Sequence, residues 1–273
     1  MFNLLRSLSS SAALLSVTMT AGAIATGAIA APAIAQTTSP SPAPSADNKY
    51  FDVNFFDISP SYWAKPYIQT LVQNNILEGF PDGTFKPEQL VERAEFAAMI
   101  ANAFEKNQVR PLGDTGFKDV PADYWAVSAI REAFQTGFMQ GYGGRQFLPR
   151  QPITKAQAIT ALARGLNLSV AGTPAEILRS TYKDAGWIPA YAIDPIAAAT
   201  EANLVVNYPN VQALNPLKPL TRAEAAALLH QALVKQGRLE PLADNVTASK
   251  YIVGRNSEVN QSTSSTASTR PGS

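Results

Sequence analysis

Cysteine is absent from these 273 residues, and histidine occurs once, at His230. The first absence excludes disulfides, thiolate nucleophiles and cysteine-ligated metals. The second excludes a two-histidine metal site and any Cys/His catalytic pair. An exported chain can do without disulfides when its core is large enough, so export remains compatible with this composition. Excess charge of either sign is also lacking: 22 Lys and Arg stand against 21 Asp and Glu, a net charge of +1. Loss of Arg6 with the N-terminus would leave 21 against 21. A neutral chain has no broad field for nucleic acid or anionic lipid, so any anion must be held by a local site. Beyond the N-terminus no run approaches the ~20 apolar residues of a membrane helix. The Asp spacing has no EF-hand pattern. Gly141-Tyr142-Gly143-Gly144 follows no predicted strand, so it does not read as a phosphate loop. No pair of acids stands out for glycoside cleavage, although such a hydrolase remains the enzymatic alternative. The expectation is a protein with no catalytic residues, no metal and no cofactor.

The two ends differ from the middle. Residues 1–35 place Arg6 before an Ala-, Leu- and Val-rich stretch and end in Ala33-Ile34-Ala35. This small-x-small pattern reads as a cleaved secretory signal, with an uncleaved N-terminal anchor as the alternative. Residues 36–54 begin as a Pro/Ser/Thr/Ala-rich linker. Residues 239–273 end in QSTSSTASTRPGS and read as a mostly disordered tail. Within it, Ser249-Lys250-Tyr251-Ile252-Val253 could dock on the folded part or recruit another envelope protein. About 180 residues lie between, enough for one core.

What fills that middle is one segment written three times. Asp57, Asp119 and Asp184 are matched landmarks, in steps of 62 and 65 residues. These steps exceed the ~20–50-residue period of common solenoids, so three copies sharing one body are expected. The copies are set at 55–112, 113–177 and 178–238. Each opens on an aromatic and an Asp. Trp63 or Trp125 follows six residues after that Asp, and Tyr191 takes the place in copy three after one insertion. Trp63, Tyr67, Ile68, Leu71 and Val72 then recur at helical spacing, as do Trp125, Ala129, Ile130, Ala133 and Phe134.

A turn ends this helix. Gly79-Phe80-Pro81-Asp82-Gly83 is a strong turn signal, and Gly79 suits a left-handed helix stop. Gly141 repeats it, and Asn207 replaces it in copy three, Asn being the best non-Gly choice at positive φ. A second helix begins at Thr154-Lys155-Ala156-Gln157 and Thr221-Arg222-Ala223-Glu224, both capping boxes, and at Glu92-Arg93-Ala94-Glu95, where the hydroxyl is lost. Arg93, Lys155 and Arg222 each occupy the first helical position, where free N–H groups and the helix dipole favour an anion. Arg would add a planar fork for a carboxylate, whereas Lys is only a point charge. The nearby Trp or Tyr offers an apolar face, although packing explains the Trp positions at least as well. The fold class expected is all-α: three helix–loop–helix repeats in a pseudo-threefold bundle.

The pattern aromatic-x-Asp, Trp-Ala, Gly-aromatic-Pro-Asp-Gly-x-Phe-x-Pro and Thr-Arg-Ala-Glu, across residues 55–235, resembles the S-layer homology domain. The resemblance implies three modules, with non-covalent anchoring of an exported protein to peptidoglycan-linked, often pyruvylated, wall polysaccharide through grooves between modules. Carried onto this chain, the groove residues are Arg93, Lys155 and Arg222; Trp63, Trp125 and Tyr191; and Gly79 and Gly141. The departures at Lys155 and in copy three imply unequal grooves. A periplasmic or wall location is implied. An envelope scaffold that binds another protein is the alternative.

Overall fold

The residues just before each second helix pair with one another across the repeats. In the computed structural model, residues 54–113 and 116–255 are described. Val91 N donates to Leu220 O at 2.9 Å, Leu220 N to Ile153 O at 2.8 Å, and Ile153 N to Val91 O at 2.9 Å. All three side chains are fully buried. One step on, Arg93 N donates to Gln151 O, Lys155 N to Lys218 O and Arg222 N to Gln89 O, at 2.9, 3.0 and 2.9 Å. Each set passes from repeat to repeat and returns to its start. The copies therefore close on one another, which solves the problem that a single helix pair buries too little to be stable.

The described residues are helical, as expected. Repeat 1 has α1 (Lys65–Gln73) and α2 (Arg93–Ala103); repeat 2 has α3 (Val127–Gln135) and α4 (Lys155–Gly165). A further helix, α5 (Pro174–Thr181), crosses the boundary set between copies two and three, and repeat 3 then has α6 (Ile193–Glu201) and α7 (Arg222–Lys235). α5 is absent from the sequence expectations. Pro174 presets its first turn and Leu178 is its buried anchor against α6. Each second helix packs on the first helix of another repeat: α2 on α3, α4 on α6, α7 on α1. Both capping boxes form. Thr154 Oγ1 accepts from Gln157 N at 3.3 Å and Gln157 Oε1 from Thr154 N at 3.0 Å, with 3.2 and 3.0 Å for Thr221 and Glu224. In repeat 1 Glu92 takes the place of the hydroxyl in the same reciprocal box, and its N donates to Glu95 Oε2 at 2.8 Å.

The first helices stop earlier than expected. The left-handed residues are Asn75, Gly137 and Asn203, with φ of 56°, 85° and 53°. Ile76 N then reaches back to Leu71 O, and Leu204 N to Ala199 O, both at 2.9 Å, which satisfies orphan carbonyls. The expectation of positive φ at Gly79, Gly141 and Asn207 is therefore corrected. None of the three is among the positive-φ residues. Glycine is required at the first two for space: a Cβ would strike the Phe55 ring at Gly79 and the Phe117 ring at Gly141, and lie 2.9 Å from the carbonyls of Thr84 and Gln146 respectively.

The repeated Asp has a structural task. Asp57 accepts from Phe85 N and Lys86 N at 2.9 and 2.7 Å. Asp119 accepts from Phe147 N and Leu148 N at 2.8 and 2.7 Å, and Asp184 from Leu214 N and Asn215 N at 3.0 and 2.7 Å. The second donor of each pair sits at positive φ, between 53° and 57°. The carboxylate thus holds a left-handed residue ahead of Pro87, Pro149 or Pro216.

The signal segment and all but the last residue of the expected linker lie outside the described residues. Of the expected disordered tail, residues 239–255 instead pack on the fold. Ala248, Ile252 and Val253 are buried, Tyr67 Oη donates to Ala248 O at 2.9 Å, and Val253 N donates to Val205 O at 2.9 Å. Of the two expectations for residues 249–253, docking is the one observed.

Candidate ligand-binding groove

The three basic residues are buried fasteners between repeats. Arg93 donates from Nε to Phe147 O and from Nη2 to Gln140 O, both at 2.8 Å, and its guanidinium lies 4.7 and 4.6 Å from the Tyr142 and Phe147 rings. Arg222 repeats this toward repeat 1, donating to Phe85 O at 2.9 Å and Glu78 O at 3.1 Å, over Phe80 and Phe85. Lys155 reaches repeat 3, donating to Val206 O at 3.0 Å and pairing with Glu224 at 3.5 Å. Burial pulls all three pKa values below their ordinary range.

This corrects the expected helix-end anion site. The first N–H of each second helix goes to the ring of carbonyls above, and the next goes to Pro149 O, Pro216 O or Pro87 O, each at 2.9 Å. In α4 and α7 the third goes to the capping Thr. Those donors are occupied by protein, so an anion there would have to displace a neighbouring repeat.

One groove does assemble expected residues. Arg93, Gly141 and Tyr191 line a cleft of about 230 Å³ together with Tyr142, Gln157, Thr160 and Arg164. Thus repeat 1 contributes a guanidinium, repeat 2 a loop and one face of α4, and repeat 3 an aromatic ring. With Nε and one N–H of Nη2 engaged, three of the five guanidinium N–H groups of Arg93 remain, two of them on Nη1. Tyr142 is fixed by Gln157 Nε2, which donates to its hydroxyl at 2.8 Å. Burial raises the pKa of Tyr191, so its hydroxyl stays protonated and can both donate and accept. Arg164 is exposed and makes one long bond, to Tyr191 O at 3.4 Å. Such a cleft can take a small ring between Tyr142 and Tyr191 and hold an acidic substituent with guanidinium N–H groups.

The equivalent groove beside repeat 3 is different. Trp63 stacks on Tyr208 with centroids 4.9 Å apart and planes 5° apart, and Tyr251 from the docked C-terminal segment meets both edge-on. The cleft there, about 510 Å³, has Glu88 and Glu224 in its wall. Lys155 lies beneath, only 3% of its side chain exposed. Near repeat 1, Arg222 is joined to the loop that holds Gly79. Trp125 is 63% exposed, with Tyr124 as its ring partner.

Tyr142, Gln157, Thr160 and Arg164 were missed as site residues. A signal was available for two: Thr160 and Arg164 stand where repeat 1 has Ala98 and Asn102 and repeat 3 has Ala227 and Gln231. Their spacing puts them on one face of α4 with Gln157.

Comparison with known proteins identifies the repeats. The S-layer homology domain matches residues 54–97, 116–159 and 181–226. An amylopullulanase of Thermoanaerobacterium thermosulfurigenes is 31% identical over 69% of this chain and 10% of its own length. A surface-layer 125 kDa protein of Lysinibacillus sphaericus is 30% identical over 63% of this chain and 14% of its own. A cellulosome-anchoring protein of Acetivibrio thermocellus is 31% identical over 43% of this chain and 27% of its own. The similarity thus spans a minor part of each relative. Domains of this family anchor proteins to the cell wall, which makes this a cell-surface or cell-wall-associated protein. No described helix is long and apolar enough to cross a membrane. The chain belongs to the S-layer homology domain family and carries three of its modules in tandem.

Proposed function

We propose that this chain is a non-catalytic, exported anchor that grips an acidic polysaccharide linked to peptidoglycan, through the cleft formed by Arg93, Tyr142 and Tyr191. The observation that carries this reading is the convergence of a guanidinium and two tyrosine rings from three different repeats on one cleft. Its size, below the ~300–1,000 Å³ of drug-sized pockets, suits one sugar unit rather than a length of chain. A binding role also fits the state of the titratable groups. His230 is fully buried against Tyr67, and burial lowers its pKa to about 4. The repeated Asp residues use their oxygens on backbone N–H groups. Sedimentation of the chain with wall sacculi, before and after the wall-linked polymer is stripped, tests the reading. Co-sedimentation should vanish on stripping; retention on stripped sacculi would reject a polysaccharide ligand. Release of soluble sugars from peptidoglycan would reject the non-catalytic assignment.

The exposed rings of Trp125 and Trp187, 63% and 70% accessible, favour a scaffold that binds another envelope protein as the second reading. Co-purification of a protein at high salt after removal of polysaccharide would support it.

A further inference from the structure

Thr160 behaves unlike the other threonines inside α-helices or at their C-terminal ends. Thr70, Thr136, Thr181 and Thr200 each return their hydroxyl to the carbonyl four residues earlier, at 2.9, 2.6, 2.7 and 2.7 Å. That is the usual refuge of a helical hydroxyl. Thr160, in the middle of α4 and 4% exposed, makes no such bond, and its Oγ1 is buried without a partner among the described residues. It lines the cleft described above. Buried hydroxyls in native structures are nearly always paired, so an unpaired one on a residue that lines a cleft points to a partner brought from outside. One turn further along the same face stands Arg164, exposed at the cleft and held by a single long bond. The corresponding pairs Ala98 and Asn102 in repeat 1, and Ala227 and Gln231 in repeat 3, provide neither group.

We propose that Thr160 and Arg164 form a specificity subsite that confines recognition of a carboxylate-bearing sugar to this one groove of three. Thr160 Oγ1 bonds a ring substituent at the floor, while Arg164 at the mouth holds the carboxylate across from the inner guanidinium of Arg93. The proposal rests on the reading that the cleft binds a wall sugar. It adds which residues select the ligand and why the other grooves do not.

The test is calorimetric titration of the full chain with purified wall polymer, native and carboxyl-reduced, alongside thermal melts. The unaltered chain should prefer the native polymer. Arg164→Asn, the repeat 1 residue, should lose about tenfold in affinity for native polymer and abolish that preference, while Arg164→Lys keeps part of it. Thr160→Ala should weaken both polymers by about fivefold or more, with an unchanged or raised melting temperature, since it removes an unpaired buried hydroxyl. Wild-type affinity and preference in both variants would overturn the subsite while leaving the wall-binding reading intact. A lowered melting temperature in Thr160→Ala would show a structural partner for the hydroxyl and overturn its ligand role. Absence of binding by the unaltered chain would overturn both.

Discussion

Two equivalent grooves of this molecule have been built to opposite ends. In the groove lined by α4, Tyr142 and Tyr191 line a cleft together with the buried guanidinium of Arg93 and the exposed one of Arg164. In the groove lined by α7, Tyr208 lies flat on Trp63, Tyr251 meets both edge-on, and Glu88, Glu224 and Lys218 are the charged residues of the wall. The same repeat position is Gln157 in one and Glu224 in the other. Gln157 fixes a tyrosine, whereas Glu224 neutralises the buried Lys155. The lesson is that repetition of backbone does not repeat chemistry. The lysine of copy two needs a carboxylate partner to be buried, and in meeting that need Glu224 is not available to fix a tyrosine as Gln157 does.

The comparison can be broken hardest at its shared part. Arg93→Ala leaves Phe147 O and Gln140 O without their donor and removes a stacked, buried guanidinium; roughly 4 kcal/mol of stability should be lost, seen in chemical denaturation. Arg222→Ala should behave similarly. Loss of sugar binding in either variant is therefore evidence about fold first, and little or no loss of stability would reject the fastening role.

Acid should act mainly on the side of the second groove, where His230 packs under Tyr67, itself edge-on to Trp63. Its folded pKa of about 4 lies below the unfolded value of 6.5, so the unfolded chain binds more protons between these values. Stability is then fully present above about pH 6.5 and falls by about 3 kcal/mol as pH drops through 4. Denaturation midpoints against pH would show this, and a His230→Phe variant should flatten that part of the profile.

Tyr251→Ala removes two aromatic contacts over Trp63 and Tyr208, at a cost of about 1–2 kcal/mol. It should also raise acrylamide quenching of Trp63 fluorescence. Unchanged quenching would mean that the docked segment does not cover that groove. Least affected should be Trp125→Ala: with the ring 63% exposed, stability should change by no more than about 0.5 kcal/mol, against several for Trp63→Ala. Equal losses at the two tryptophans would contradict the difference between their surroundings.

Much of the fold was legible in sequence. The capping boxes at Thr154 and Thr221 place two helix starts by a local rule, and both form. The stripe from Trp63 to Val72 reads as an amphipathic helix because its partners lie on one side. Helix stops were legible less well. Asn75 and Asn203 lack the conspicuous Pro-Asp-Gly signature that drew attention to Gly79, yet they carry the positive φ. Gly79 is needed because Phe55, from the start of the repeat, packs against it, a contact that no local pattern announces. The site was only half legible. Arg93, Gly141 and Tyr191 came from the repeat itself, whereas Thr160 and Arg164 are visible only as departures from it.

The three copies, their helices, the all-α class and the positions that carry charge follow from the order of residues alone, because periodicity, capping and turn chemistry act over a few residues. What those charges do depends on how the copies pack against one another. The N–H groups expected to hold an anion are taken by carbonyls of neighbouring repeats, and two of the three basic side chains reach loops more than 50 residues away; Arg93 reaches one 47 and 54 residues on. Closing three copies on one another consumes the donors that each copy, read alone, would offer to a ligand. In the groove lined by α4, closure leaves a hydroxyl without a partner and a guanidinium exposed.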